Sequence, residues 1–144
     1  MGLTMEDRHD LQRFVDAQEP VIDRVLAEIG AGRKTTHWMW FIFPQLASLG
    51  RSSMARLYGL HGRDEALAYW RHPVLGPRLR LCCEKLLAVP GHASALQVLG
   101  SPDDLKLRSS LTLFAAVAPE EPVFRLLLER FYDGHPDPLT AAQL

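Results

Sequence analysis

The sequence predicts an all-α fold, on three observations. Apolar residues recur at helical spacing from Leu11 to Phe131, no segment keeps the strict alternation of a half-buried strand, and proline, glycine and short polar breaks punctuate the chain at helix-length intervals. These breaks imply about seven to nine short helices packed as one compact multi-helical domain, with connections of roughly two to eight residues.

Leu11, Phe14 and Val15 mark a first short helix. Pro20 sits where a first helical turn tolerates it, and the second helix carries Ile22, Val25, Leu26 and Ile29 before Gly30 and Gly32 end it. The block from Thr36 to Gln45 follows, and Pro44 closes whatever turn it forms, because the residue before a proline is pushed out of the α region. Ser52 is placed to cap a helix carrying Met54, Leu57 and Tyr58, and Asp64 to cap Ala66 to Trp70.

The two prolines of His72-Pro73-Val74-Leu75-Gly76-Pro77 each remove a backbone donor, so the long helix is expected to begin at Pro77. It buries Leu79, Cys82, Cys83, Leu86 and Leu87 and stops before Pro90-Gly91. A brief helix from Ala93 to Leu99 ends at Gly100. Ser101-Pro102-Asp103-Asp104 reads as a serine cap, a first-turn proline and two carboxylates at the positive end of the dipole, opening a helix to about Val117. The next opens near Pro122, buries Phe124, Leu127, Leu128 and Phe131, and ends at Asp133-Gly134-His135-Pro136; Asp137 to Leu144 add a last turn or two.

With 144 residues the chain fits one core, which places residues 10–144 in a single helical domain behind a flexible amino terminus, residues 1–9. Hydrophobic residues make up 47% and charged ones 23%, which excludes disordered and fibrous classes. Sixteen Lys and Arg against 17 Asp and Glu leave a net charge of −1, too little to steer the chain onto duplex nucleic acid or an anionic membrane. The longest apolar run, Trp38 to Phe43, is far short of the roughly 20 residues that span a bilayer, and the amino terminus lacks a basic region followed by an apolar core, so a cytoplasmic location is expected. Cys82 and Cys83 are adjacent: they cannot close an unstrained disulfide, and on a helix they point about 100° apart, so both are read as buried thiols.

The motifs that hold nucleotides through a P-loop or a dinucleotide-binding turn, the paired zinc histidines of metalloproteases and the serine-hydrolase elbow are all missing. The histidines at 9, 37, 61, 72, 92 and 135 show no helical pairing suited to a metal, so neither metal nor cofactor is expected. His37 lies among Trp38, Trp40 and Phe41, where desolvation favours a neutral imidazole that can act as a base; its bland reading is a histidine satisfying a backbone group at a helix start. Trp38 and Trp40 can stack on a planar ligand or simply fill the core.

A second constellation is Asp103-Asp104-Leu105-Lys106-Leu107-Arg108-Ser109-Ser110-Leu111-Thr112-Leu113-Phe114, in which Asp103 and Lys106, or Asp104 and Arg108, are spaced to pair along a solvated helix. Leu107, Leu111 and Phe114 go inward, while Lys106, Ser109 and Ser110 fall on neighbouring flanks and either border solvent or face a cleft, where one cation and two hydroxyls suit a phosphate or carboxylate.

Together with His37-Trp38-Met39-Trp40-Phe41-Ile42-Phe43-Pro44-Gln45 and His72-Pro73-Val74-Leu75-Gly76 with Arg78-Leu79, this stretch from Asp104 to Phe114 resembles the family called domain of unknown function eighteen-ten, over about Asp10 to Leu144. The resemblance implies a small bacterial protein with a compact, multi-helical fold and implies almost nothing about activity; the calpastatin-like label such proteins often carry has no mechanistic weight, since calpastatin is a long disordered chain. The sequence departs from the family's pattern at Leu99, where an aromatic commonly precedes the glycine, and at Pro77.

Two functions compete. The first is a site for a small polar or anionic ligand, nucleotide-derived ones included, built from His37, Trp38, Trp40, Gln45, Arg51, Ser53, Lys106, Ser109 and Ser110 in a Trp-lined cleft; hydrolysis with His37 or Asp104 as base would be a further step. The second is a non-catalytic interaction module, with Tyr58, Tyr69 and Trp70 as a patch for a partner or for another copy of the chain. A concave pocket holding His37 and Lys106 discriminates for the first, and an exposed patch of those three rings for the second.

Overall fold

A computed structural model of the protein describes residues 7–144. Its centre is the helix Asp103–Val117, which from Leu107 onward is buried on nearly every side, the polar Ser109, Ser110 and Thr112 along with Leu107, Leu111, Leu113, Phe114 and Val117. Such a helix has to be wrapped by others, because no single partner can cover its whole circumference.

In chain order the helices are α1 (Gln12–Gln18), α2 (Ile22–Gly30), α3 (Met39–Ile42), α4 (Ser53–Leu57), α5 (Arg63–Arg71), α6 (Leu75–Leu87), α7 (Ala95–Leu99), α8 (Asp103–Val117), α9 (Pro122–Tyr132) and α10 (Pro138–Ala141), with a short 3-10 turn at Ala47–Leu49. The fold is all-α, and the described residues form no β-strand beyond an isolated parallel bridge between Leu46 and Leu60. Among the described residues, ten helices slightly exceed the expected seven to nine, because the aromatic block and the carboxyl-terminal turn each close a four-residue helix of their own. Helices α5, α7, α9 and α10 pack on α8; α6 bridges α2, α5 and α9; α1 lies on α3. Of the expected flexible amino terminus, residues 1–6 lie outside the described residues, and residues 7–9 form a turn leading into α1.

Aromatic rings tie these layers together. Phe14 meets Tyr69 edge to face at 5.0 Å, Tyr69 meets Phe114 at 5.5 Å, Phe114 stacks on Phe124 at 5.7 Å, and Trp70 meets Phe124 at 5.1 Å. Tyr69 is wholly buried, and Tyr58 packs on Phe14 and Phe41. The three rings offered as an interaction patch therefore belong to the core or lean on it. The buried Tyr69 hydroxyl accepts from Gln18 Nε2 (2.9 Å), which also donates to the Phe41 carbonyl (2.7 Å), so one buried amide joins α1, α3 and α5.

Several expected helix starts differ from those observed. The long helix begins at Leu75 rather than Pro77, because the His72 imidazole Nδ1 accepts from the Val74 and Leu75 amides (3.1 and 3.2 Å), and Pro77 then falls in the first turn, where a missing N–H costs little. Burial lowers the His72 pKa, in keeping with a neutral ring that accepts. Asp64 lies inside the first turn of α5; the reach back to the preceding backbone comes from Glu65, which accepts from the His61 amide at 2.7 Å. Ser52 caps α4 as expected, and Ser94 with Gln97 forms a capping box on α7. Ser101 does not cap α8, whose N-cap is Pro102, and no side chain supplies that bond.

Cys82 and Cys83 are fully buried in α6. Burial pushes the Cys82 thiol up to about 12 and the Cys83 thiol well above its ordinary value. A thiol reagent such as dithionitrobenzoate is accordingly expected to leave the native chain unmodified at pH 8 and to titrate both cysteines once denaturant is added; release of either thiol's equivalent from the native chain within minutes would contradict this packing.

Candidate functional site

The site begins with a carboxylate in the core. Glu28 lies on the inward side of α2 between Val25 and Ile29, with 8% of its surface exposed, and it collects four donors: the amides of Thr35 (2.9 Å) and Thr36 (3.1 Å), the Thr36 hydroxyl (2.6 Å) and the Trp38 indole N–H (2.9 Å). Burial alone would raise its pKa, but these donors outweigh burial and lower it from 4.5 to about 2. Glu28 thereby folds the Ala31–Trp38 segment back over the end of α2, and the Lys34 amide pins that segment to α7 through the Val98 carbonyl (2.7 Å).

Opposite that segment stand the first two turns of α8. Between them lies a half-open cleft of about 360 Å³, walled by Lys34 to His37 on one side and by Ser101, Asp103 and Lys106 on the other, over a floor of Met39, Trp40 and Leu99. Asp103 bridges the walls: Oδ2 is 2.8 Å from the Lys34 ammonium and Oδ1 is 3.6 Å from that of Lys106. Each ammonium also lies over an indole, Lys34 at 5.0 Å from the Trp38 ring centre and Lys106 at 5.2 Å from that of Trp40. The Lys34 side chain is only 7% exposed and that of Asp103 16%.

The expected residues divide accordingly. His37, Trp40 and Lys106 line the cleft together, His37 on its exposed rim. Trp38 is buried beneath it and spends its N–H on Glu28. Gln45 lies in a separate crevice beside Trp40, Leu46 and Tyr58 with room of about 10 Å³, at most one water. Arg51 and Ser53 are exposed where α4 begins. Ser109 and Ser110 are both buried rather than bordering the cleft. The Ser109 hydroxyl pairs with Thr140 Oγ1 (2.7 Å) and donates to Asp137 (3.3 Å), and Arg108 donates to the carbonyls of His135 and Pro136, so this stretch of α8 anchors the returning carboxyl terminus. The Ser110 hydroxyl has no hydrogen-bond partner among the described residues.

Sequence reasoning missed Lys34, Thr35, Ser101 and Asp103 as cleft residues. Only the glycines at 30 and 32, which bound a short polar loop, and the inward register of Glu28 hinted that this segment is organised.

The family profile described as "Protein of unknown function (DUF1810)" matches residues 8–144. The chain belongs to the DUF1810 family. This DUF1810 chain is also similar to a solved structure, that of the conserved hypothetical protein Rv1873 from Mycobacterium tuberculosis, with 49% identity, a TM-score of 0.91, and coverage of 94% of this chain and 96% of that one. No curated protein matches it. Among the described residues of this DUF1810 protein, no group of three or more His, Cys, Asp or Glu is placed to hold a metal ion, and no helix is long and apolar enough to cross a membrane.

A larger groove of about 520 Å³ runs between Arg8 and His72, lined also by Asp64 and Arg71. Its arginines and aspartate are exposed, so they keep most of their hydration and interact weakly. In the Lys34–Lys106 cleft the charges are partly desolvated, which strengthens their grip on a ligand. The smaller cavity is the better candidate.

Proposed function

We propose that this domain binds a small anionic ligand in the cleft between the Lys34–His37 segment and α8. One observation carries the reading: two ammonium groups from segments far apart in sequence converge on one 360 Å³ cleft, and Lys34 is kept there nearly out of water. Holding a lysine at 7% exposure costs hydration, and Asp103 with the Trp38 ring offsets only part of that cost. An incoming anion gains both ammoniums together, while Trp40 and Leu99 offer apolar surface to the rest of the molecule. Tyr58, Tyr69 and Trp70 pack on core rings, which favours the ligand reading over one that uses them as a patch for a partner. Two unpaired thiols suit a reducing, cytoplasmic setting.

Thermal melts of the full chain with phosphate, pyrophosphate, nucleotides and small carboxylic acids test this reading. A ligand present at about 100 times its dissociation constant adds about 2.7 kcal/mol to the folded state and raises Tm by several degrees. Lys106→Ala should abolish that rise while shifting the unliganded Tm by no more than about 2 °C, because its ion pair with Asp103 is long and partly exposed. The absence of a rise with every anion class would end the proposal.

A further inference from the structure

We infer that the ligand carries hydroxyl groups beside its anionic group, as a phosphorylated sugar does, and that Asp103 is the acceptor for those hydroxyls; this rests on the anion-binding reading above. An anion with no hydroxyl hydrogen needs only donors around it, yet this cleft has a carboxylate on its wall between the two ammoniums. A carboxylate offers about four acceptor positions. Asp103 has one close donor, the Lys34 ammonium at 2.8 Å; Lys106 stands 3.6 Å from Oδ1, too far for a hydrogen bond, and Asp103 caps no backbone amide. Acceptor capacity is thus left over on a group that lines the cavity and is only 16% exposed.

A bare anion placed between the lysines gains both ammoniums but also sets its charge against that of Asp103. A hydroxylated monoester does better. Its phosphate meets Lys106 on the rim, and hydroxyls one or two carbons beyond the ester carbon donate to Asp103 Oδ1, forming charge-assisted bonds that an anion carrying no hydroxyl hydrogen cannot make. Two ammoniums against one carboxylate leave a single positive charge, which suits one phosphate rather than a chain of them. The volume, about 360 Å³, lies at the lower end of small-molecule sites, and the floor of Met39, Trp40 and Leu99 gives the C–H face of a sugar ring an apolar surface.

Calorimetric titration of the full chain at pH 8 with ribose 5-phosphate, 2-deoxyribose 5-phosphate and methyl phosphate, a monoester dianion with no hydroxyl to donate, tests the inference. Ribose 5-phosphate should bind about tenfold tighter than methyl phosphate, roughly the worth of one charge-assisted hydrogen bond, with the deoxy sugar weaker than ribose 5-phosphate. Asp103→Asn should erase that preference and tighten methyl phosphate itself. If methyl phosphate binds, depends on Lys106, and is matched by ribose 5-phosphate, the hydroxyl inference falls and the anion site stands. A preference that survives Asp103→Asn overturns the role of Asp103. Should that variant fail to fold, the wild-type comparison of the two sugar phosphates with methyl phosphate decides alone, equal affinities overturning the inference. Binding of none of the three, in a chain stabilised by another anion, overturns the inference without touching the site; a chain that responds to no anion at all loses both.

Discussion

Glu28→Ala is expected to lower Tm by about 10 °C or more at neutral pH. The substitution leaves the Trp38 indole N–H, the Thr36 hydroxyl and the amides of Thr35 and Thr36 without the acceptor they share, in a place water reaches poorly. Removing the acceptor from one buried and three part-buried donors at once costs about 4 kcal/mol, and a domain of this size loses about 3 °C for each. Stability should also acquire a pH signature. The carboxyl pKa is about 2 in the fold against an ordinary 4.5, so the unfolded chain takes up the proton first as the solution is acidified. The contribution is full above pH 4.5, shrinks between 4.5 and 2, and is gone below. A shift of that size corresponds to about 3 kcal/mol. Denaturant melts of wild type and Glu28→Gln should therefore converge on going from pH 7 to pH 3; parallel curves across that window would mean that Glu28 is not the ionised acceptor described above.

Gly76→Ala is expected to be nearly as damaging, although alanine is the better helix former. Gly76 is the second residue of α6, and a Cβ there would stand 2.1 Å from the Trp70 carbonyl oxygen at the end of α5. The obstacle is backbone, not the tip of a flexible side chain. Relieving it means sliding α5 away from α6, which also moves Trp70 off Phe124. Propensity alone would make the change favourable by about 1 kcal/mol, so the two effects carry opposite signs. Overpacking against a fixed carbonyl costs about 3 kcal/mol and dominates, for a fall in Tm of about 10 °C. Gly91→Ala, where nothing lies within 4 Å of the added carbon, serves as the control and should stay within about 0.5 kcal/mol of wild type. A Gly76→Ala chain as stable as that control would show that the two helices do not approach so closely.

The helices were legible because each is written within one short segment. Periodicity of apolar residues from Phe124 to Phe131, or from Leu79 to Leu87, needs no knowledge of what lies opposite, and the glycines at 32 and 100, both at positive φ just past a helix, stop helices through their own backbone preferences. Caps were only partly legible. Ser52 caps α4 through a local bond, whereas α6 is begun by an imidazole, which sequence rules do not anticipate. In the candidate site, Trp40, His37 and Lys106 could be named from two separate motifs, yet Lys34 could not be, because what makes it notable is a carboxylate 69 positions away, Asp103. Ser109 shows the converse: its polarity within an apolar helix suggested a ligand, and the returning residues Asp137 and Thr140 turned out to be what it binds.

By itself, then, the sequence determined the all-α class, the order of the helices and which faces are apolar, since these depend on interactions among residues three or four apart. Only the tertiary structure decided which polar groups serve the fold and which are left for a ligand. A buried donor or acceptor is spoken for only once its partner is known, and for Glu28, Asp103, Ser109 and Trp38 that partner arrives from another segment of the chain.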